Sequence, residues 1–296
     1  MKRSLGSRSI AKTAEQLVKG VDKLVSLPEV CFMVNDLVND PHSDIVQIGN
    51  VISQDPDLTA RLLKLVNSSY YGFETPVDTV SRAIMMVGLR DLQSMIWASS
   101  AVETFNHLSP ADANMAGFWR HSVFCAVTAR ILARECHVLH PERLFVAGLL
   151  HDIGRLLIFH KMPKQAQEII EKEKLCLDVD VAEIEREVLG FDHAEIGRAL
   201  CESWGLPEGL TYSIGNHHHP GTNELYKLES AILHVANIMA HALEMGDEDN
   251  FHEGADQNAW ELLNLSEDAI KRTLHEAVLQ FLEALELLLP GASQRL

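Results

Sequence analysis

No stretch of this 296-residue sequence is apolar for long enough to cross a membrane. The first residues carry Lys2, Arg3 and Arg8 with no apolar run behind them, so a secretory leader is not expected. A cytoplasmic protein without membrane insertion is therefore expected. Cysteine is sparse: Cys31, Cys125, Cys136, Cys176 and Cys201 are odd in number and show no CxxC spacing. That excludes a disulfide framework and a cysteine-zinc knot, and leaves reduced thiols in a core. Basic residues are also short, 25 Lys and Arg against 42 Asp and Glu, for a net charge of −17. Such a surface repels phosphate backbones and anionic lipid heads, so direct nucleic-acid or membrane-surface binding is not expected. An anionic ligand would need a local metal or arginine cluster to overcome that field. Strand alternation bounded by hairpin turns is missing throughout, as are internal repeats and low-complexity tracts.

What is present is helical periodicity, in a chain 47% apolar and 23% charged, a normal globular balance. Apolar positions at helical spacing predict helices over residues 13–27, 30–38, 44–53, 55–67, 77–87 and 91–105. Tyr70-Tyr71-Gly72-Phe73 reads as an aromatic loop and 106–111 as a linker. Asn67, Ser68, Tyr70 and Tyr71 are candidates for packing between elements or for facing a partner. Further helices are expected over 118–136, from Pro141 through position 152, and over 161–175 and 181–188. Others should start at Asp192 and Glu208 and cover 225–243. A polar loop over 245–257 precedes one last Leu-rich helix capped at Ser266. Residues 1–12 are polar and expected to lack fixed structure. The resulting organisation is an N-terminal helical lobe (13–106), a second helical lobe (112–243) and a C-terminal helical extension (258–290).

The second lobe holds the chemistry. Nine of the fifteen histidines lie between positions 121 and 219. Gly148-Leu149-Leu150-His151-Asp152-Ile153-Gly154-Arg155 places a His-Asp pair among apolar residues, where burying either group unpaired is costly. His121 stands on the preceding helix, His193 at the start of a later one after Asp192, and His217-His218 at the end of the next. Helices packed side by side can bring such groups to one centre. Asp152 is placed to bridge two metals, with imidazoles completing each coordination sphere. The plainer alternative is that these are hydrogen-bonded core residues. Imidazole with one carboxylate suits iron, manganese, zinc or nickel, one or two ions, rather than calcium or magnesium.

These motifs resemble the HD superfamily and, more closely, its HDOD family. In the first half the resemblance rests on Leu27-Pro28, Gln54-Asp55-Pro56-Asp57-Leu58-Thr59, Leu65 to Gly72, and Ala83-Ile84 with Leu89 beyond. In the second it rests on Trp119-Arg120-His121-Ser122, Gly148 to Gly154, Asp192 to Gly197, Trp204-Gly205-Leu206-Pro207, and His217-His218 with Pro220. It covers roughly residues 20–243. It implies an all-α, two-lobe module with an HD-type helical core in the second lobe, and a bacterial signalling role generally viewed as regulatory. His121, His151, Asp152, His193, His217 and His218 line up with the metal ligands of the related HD-GYP phosphodiesterases. The chain departs from those enzymes at Asn237, where HD hydrolases carry an Asp, and at Arg155, where a Lys follows the HD pair. It departs again at His219, where a Glu is common, and no Gly-Tyr-Pro follows. Three readings follow. The first is a signal-transduction protein retaining a metal centre. The second is a metal-dependent phosphohydrolase acting on a nucleotide or phosphate ester, with His151 and Asp152 catalytic. The third is a metal-free core acting through protein contacts alone. The partners implied are signalling proteins or a nucleotide or phosphate ligand.

Overall fold

Side-chain caps start several helices of the first half. The computed structural model describes residues 13–19, 27–68, 71–107, 114–175, 179–220, 225–246 and 254–289. Helices α1 (Ala14–Lys19) and α2 (Glu29–Asn39) come first. Asp44 and Gln47 form a reciprocal capping box at α3 (Ile45–Ser53). Asp55 caps α4 (Pro56–Val66), which has proline in its first turn. Thr79 caps α5 (Val80–Val87), and Gly88, at φ +93°, separates it from α6 (Leu89–His107). The helix expected from position 77 starts three residues later. Asn67 holds Val77 in place by accepting from its N–H at 2.6 Å and donating to its carbonyl at 2.7 Å. Ser68 donates to Leu65 O, and Tyr71 OH lies 3.7 Å from Met95 Sδ. These contacts give Asn67, Ser68 and Tyr71 packing roles; Tyr70 lies outside the described residues. The expected linker begins later too. Asn106 is helical and accepts from the Trp119 indole at 2.7 Å. Residues 1–12 and the remainder of that linker also lie outside the described residues.

The second half comprises α7 (Met115–Glu135), α8 (Pro141–Leu150), α9 (Ile153–Lys161), α10 (Pro163–Leu175) and α11 (Val181–Leu189). It continues with α12 (His193–Ser203), α13 (Glu208–Gly215), α14 (Lys227–Met245), α15 (Gln257–Leu263) and α16 (Glu267–Leu288). No strand occurs among the described residues, so the chain is all-α as expected. Helix α7 is buried from His121 through Ala133, with α8, α14 and α16 packed around it. That is why its hydrophobicity runs all round rather than in one stripe. One hydrophobic cluster extends from α1 to α16. Helix α1 packs on α12, α6 on α8, and α16 on both α7 and α4. The short α15 was not anticipated within the loop-to-helix passage. It has seven residues with two buried, too few to display a period.

Asp192 caps α12 by accepting from Glu195 N–H at 2.8 Å, while its other oxygen pairs with Arg186. Cys31, Cys125 and Cys201 are buried free thiols and Cys136 is partly buried; Cys176 is outside the described residues. Among the described residues no helix is long and apolar enough to cross a membrane.

Candidate metal centre

The His-Asp pair does not lie within a continuous helix, as its apolar flanks suggest. Helix α8 ends at Leu150 and α9 begins at Ile153. His151 keeps helical dihedrals, while Asp152 turns to φ −95°, ψ 4°. The break has a geometric purpose. Neighbouring residues on a helix do not face one another, so an unbroken helix would aim only one of the two side chains at any given centre. At the turn both reach it, with His151 Nε2 3.4 Å from Asp152 Oδ1.

Four other elements supply the rest. His121 comes from α7, His193 opens α12, His217 and His218 follow α13, and Asn237 comes from α14. The Nε2 atoms converge. His121 to His151 is 3.3 Å, His193 to His217 is 3.3 Å, and His218 to His193 is 3.0 Å. Asp152 stands between the two groups. Its Oδ1 is 3.0 Å from His193 Nε2 and 3.8 Å from His217 Nε2, and its Oδ2 is 4.0 Å from His121 Nε2. Asn237 Oδ1 lies 2.9 Å from His121 Nε2, so the amide offers an oxygen where a hydrolase would carry a carboxylate. The structure thus brings together all six residues singled out in the sequence.

The opposite ring nitrogens explain the convergence. His151 Nδ1 meets Gly148 O at 2.8 Å and His217 Nδ1 meets Ile214 O at 2.7 Å. His193 Nδ1 meets Glu185 Oε2 at 2.6 Å, and His218 Nδ1 meets Asp180 Oδ2 at 2.9 Å. His121 Nδ1 is 3.4 Å from Glu244 Oε1, at ion-pair distance but without hydrogen-bond alignment. An oxygen beside Nδ1 keeps the proton there and turns the Nε2 lone pair inward. Lone pairs aimed at one another across 3.0–3.3 Å repel unless a cation lies among them, either a metal ion or, with no metal bound, the second proton of a charged His193. Ligands at roughly 2.1 Å from a common ion stand about 3.0–3.4 Å apart, as these nitrogens do. His121, His151 and Asp152 form one group able to hold an ion, and His193, His217 and His218 another. The donor set fits a transition metal.

A model of the HDOD domain matches residues 24–220. This chain belongs to the HDOD family. A solved structure named "putative phosphohydrolase", from Shewanella amazonensis, is 28% identical to this HDOD chain, with a TM-score of 0.71; it covers 94% of this chain and 97% of its own. An HDOD domain protein of unknown function from Geobacter sulfurreducens shares the fold at 23% identity and a TM-score of 0.74, over 94% of this chain and 98% of its own. An uncharacterized protein of Treponema pallidum is 27% identical over 242 residues, 79% of this chain. The HDOD chain spans only 45% of the length of that curated relative.

Electrostatics in this HDOD site follow the same plan. Burial lowers His151 to about 4 in spite of Asp152. Burial, reinforced by His218, His151 and His193, also takes His217 well below its usual value. Burial opposes ionisation of Asp152, but His151, His193 and Arg155 hold it well below the carboxylate range. Burial likewise acts to lower His193; the Glu185 and Asp152 carboxylates outweigh it and raise this ring to about 10. In protein stripped by a chelator, stability should therefore fall as pH drops from 6.5 towards 4. Over that window His151 is neutral in the fold but binds a proton in the unfolded chain, a difference on the order of 3 kcal/mol at the acid end. His217 acts in the same direction. His193 contributes in full below 6.5 and loses its contribution only as pH rises towards 10. Melting temperatures across the acid window check this, and a flat profile would contradict it.

Sequence reasoning missed Glu185, Asp180, Glu244 and His241. Glu185 is 1% exposed and also accepts from the His193 backbone N–H at 2.7 Å. Its signal was available: it lies on the apolar face of α11 with Ala182 and Leu189, yet alternation with Glu183 and Glu187 makes it look like one of a solvated set. Glu185→Gln is expected to weaken metal binding by about 10–100-fold, since it loosens the ring behind the ligating nitrogen. Competition titration against a chromophoric chelator measures it. His241, one turn from Glu244, sits with its ring centroid 4.3 Å from that of His121. His234 has a different task. It meets His217 O at 2.7 Å and accepts from Asp256 N–H at 3.0 Å, tying α14 to the cap of α15.

Proposed function

We propose that this HDOD protein holds one or two transition-metal ions at the histidine–aspartate cluster and acts in signal transduction through that centre. The observation that carries the reading is the convergence of five histidine Nε2 atoms from four separate elements around Asp152, four of them on rings whose Nδ1 meets an oxygen. Core histidines that merely satisfied hydrogen bonds would not need to gather their Nε2 atoms around one buried carboxylate. His121, His151 and Asp152, with Asn237, would hold one ion; His193, His217 and His218, with Asp152, the other. Iron, manganese, zinc or nickel suits this set. The readout is a protein partner or a phosphate ligand.

A second reading, metal-dependent phosphohydrolysis, is favoured by a separate observation. A cavity of about 610 Å³ opens on His121 and Asp152 and carries Arg120 and Arg155 in its wall. The Shewanella relative's name points the same way. Bound ions would supply Lewis-acid polarisation and an activated water. The chain itself contributes Asp152, which orients both imidazole groups, and Arg155, whose ion pair with Glu173 at 2.9 Å fixes its guanidinium beside the cavity.

Elemental analysis of protein purified without a His tag, beside a His151→Ala/Asp152→Ala variant, tests the centre. Transition metal in the wild type and none in the variant is the expected result. Protein that contains none and takes up no iron, manganese or zinc would sink the reading. Turnover of bis-(p-nitrophenyl) phosphate that vanishes in the variant would decide for hydrolysis.

A further inference from the structure

Helix α16 lies beyond the matched family segment, yet it forms part of the cavity beside the cluster. It is anchored to α7, the helix that carries His121. Arg130 donates to Gln280 Oε1 at 2.6 Å, and Arg134 donates to Glu276 Oε1 at 3.1 Å. Next to Gln280, Phe281 meets Phe124 edge to face, with centroids 5.6 Å apart. Phe118 and Phe159 add two more rings to the wall. A smaller space of about 370 Å³, sharing Phe124, Leu243 and Phe281, continues the cavity along α16. The volume beside the cluster is therefore larger than an inorganic phosphate needs, and the extra room is mostly apolar, with Lys271 and His275 also in its wall.

Charge in this cavity is unevenly matched. Asp152 and Glu244 face imidazoles, and Arg155 is paired with Glu173. Arg120, half-buried on α7 one residue before His121, has no carboxylate or hydrogen-bond acceptor among the described residues. In a chain with 42 acidic and 25 basic residues, an unpaired guanidinium in a cavity wall is out of keeping with its surroundings. Its planar fork matches an oxyanion in two-point contact.

We infer that the cavity binds an organic phosphate monoester, with its phosphate on Arg120 and its apolar body against Phe124 and Phe281, and that α16 thereby sets ligand selectivity. This deepens the proposed function by naming the ligand class. It rests on that reading for the ligand's purpose, whereas the contacts at Arg120 and Phe281 are tested independently of metal.

The test is calorimetric titration of the full chain with phenyl phosphate, inorganic phosphate and benzoate, with metal content measured on the same samples. Wild type is expected to bind phenyl phosphate at least about tenfold more tightly than inorganic phosphate, the lower end for burying an aromatic ring. Benzoate should bind more weakly than phenyl phosphate. Arg120→Gln should weaken both phosphates by about tenfold or more, the scale for a hydrogen bond to a charged group. Arg120→Lys should fall between wild type and Arg120→Gln. Phe281→Ala should abolish the preference for phenyl phosphate over inorganic phosphate. Unchanged helical circular dichroism and metal content show that the variants are folded. Equal binding of the two phosphates by wild type, benzoate binding as tight as phenyl phosphate, or unaltered affinity in Arg120→Gln would each overturn the inference. Protein that contains no metal and takes up no iron, manganese or zinc, yet still shows the Arg120 and Phe281 effects, would refute the metal centre and leave this inference standing.

Discussion

Asp152→Ala is expected to leave the protein without metal in both halves of the cluster, whereas His218→Ala should weaken only one half. Asp152 Oδ1 lies 3.4 Å from His151 Nε2, 3.0 Å from His193 Nε2 and 3.8 Å from His217 Nε2, and Oδ2 reaches towards His121. It is also the single formal negative charge in a ligand set otherwise made of imidazoles and the Asn237 amide. Its loss therefore removes a shared ligand and the charge that offsets a divalent ion. The effect should exceed the about 10–100-fold cost of altering a group behind a ligand, as in Glu185→Gln. Asp152→Asn, which keeps an oxygen and loses the charge, separates the two contributions; retention close to wild type would show that geometry dominates. Metal stoichiometry by mass spectrometry after gel filtration reads all three variants. Wild-type stoichiometry in Asp152→Ala would remove this carboxylate from the centre.

Gly154→Ala should produce the largest loss of stability. A Cβ built on Gly154 would stand 2.1 Å from His193 O, 2.9 Å from His193 C and 3.0 Å from Gly197 N. All three are backbone atoms, so no rotamer change relieves the clash, and α9 and α12 must move apart. Overpacking absorbed by side chains costs about 1–3 kcal/mol; here the cost should lie at or beyond the top of that range. That corresponds to a melting temperature lower by roughly 6–12 °C or more. Because His193 is the first residue of α12, the same displacement should carry its imidazole away from Asp152 and reduce metal uptake. Gly148→Ala should behave similarly, with its Cβ 2.6 Å from Ala126 Cα on α7. Gly254→Ala is the control, since its Cβ would meet only the Ile238 side chain, at 3.4 Å. Thermal melts in parallel measure this, and equal melting temperatures for Gly154→Ala and Gly254→Ala would contradict the close helix contact.

Part of the site could be read before any fold was known, because His193 and His217-His218 sit at helix ends that caps and breakers mark. Asp192 before His193, and the Trp204-Gly205-Leu206-Pro207 stop before the helix that ends at His217, are local signals. The oxygen partners of the imidazoles carry no such signal. Glu185, Asp180 and Glu244 are carboxylates in a chain with 42 of them, and only burial against a particular ring distinguishes them. The turn at His151-Asp152 was hidden for a related reason. Apolar residues on both sides satisfy helical spacing whether or not the axis breaks.

Composition and periodicity determined that the chain is helical and that no long apolar span is present, while motif spacing and the family resemblance marked His121, His151, Asp152, His193, His217 and His218 as one candidate set. Helix caps and apolar spacing act over a few residues, so they can be read along a line. Tertiary structure alone decided that Asp152 lies between two groups of imidazoles and that Asn237 supplies an oxygen to one of them. It alone brought α16 to the cavity wall that holds both Phe281 and Arg120, which has no partner among the described residues. These facts depend on contacts between residues more than a hundred positions apart, such as His121 with Asn237 and Phe124 with Phe281. Such contacts come from the packing of α14 and α16 on α7 and leave no periodic trace in the sequence.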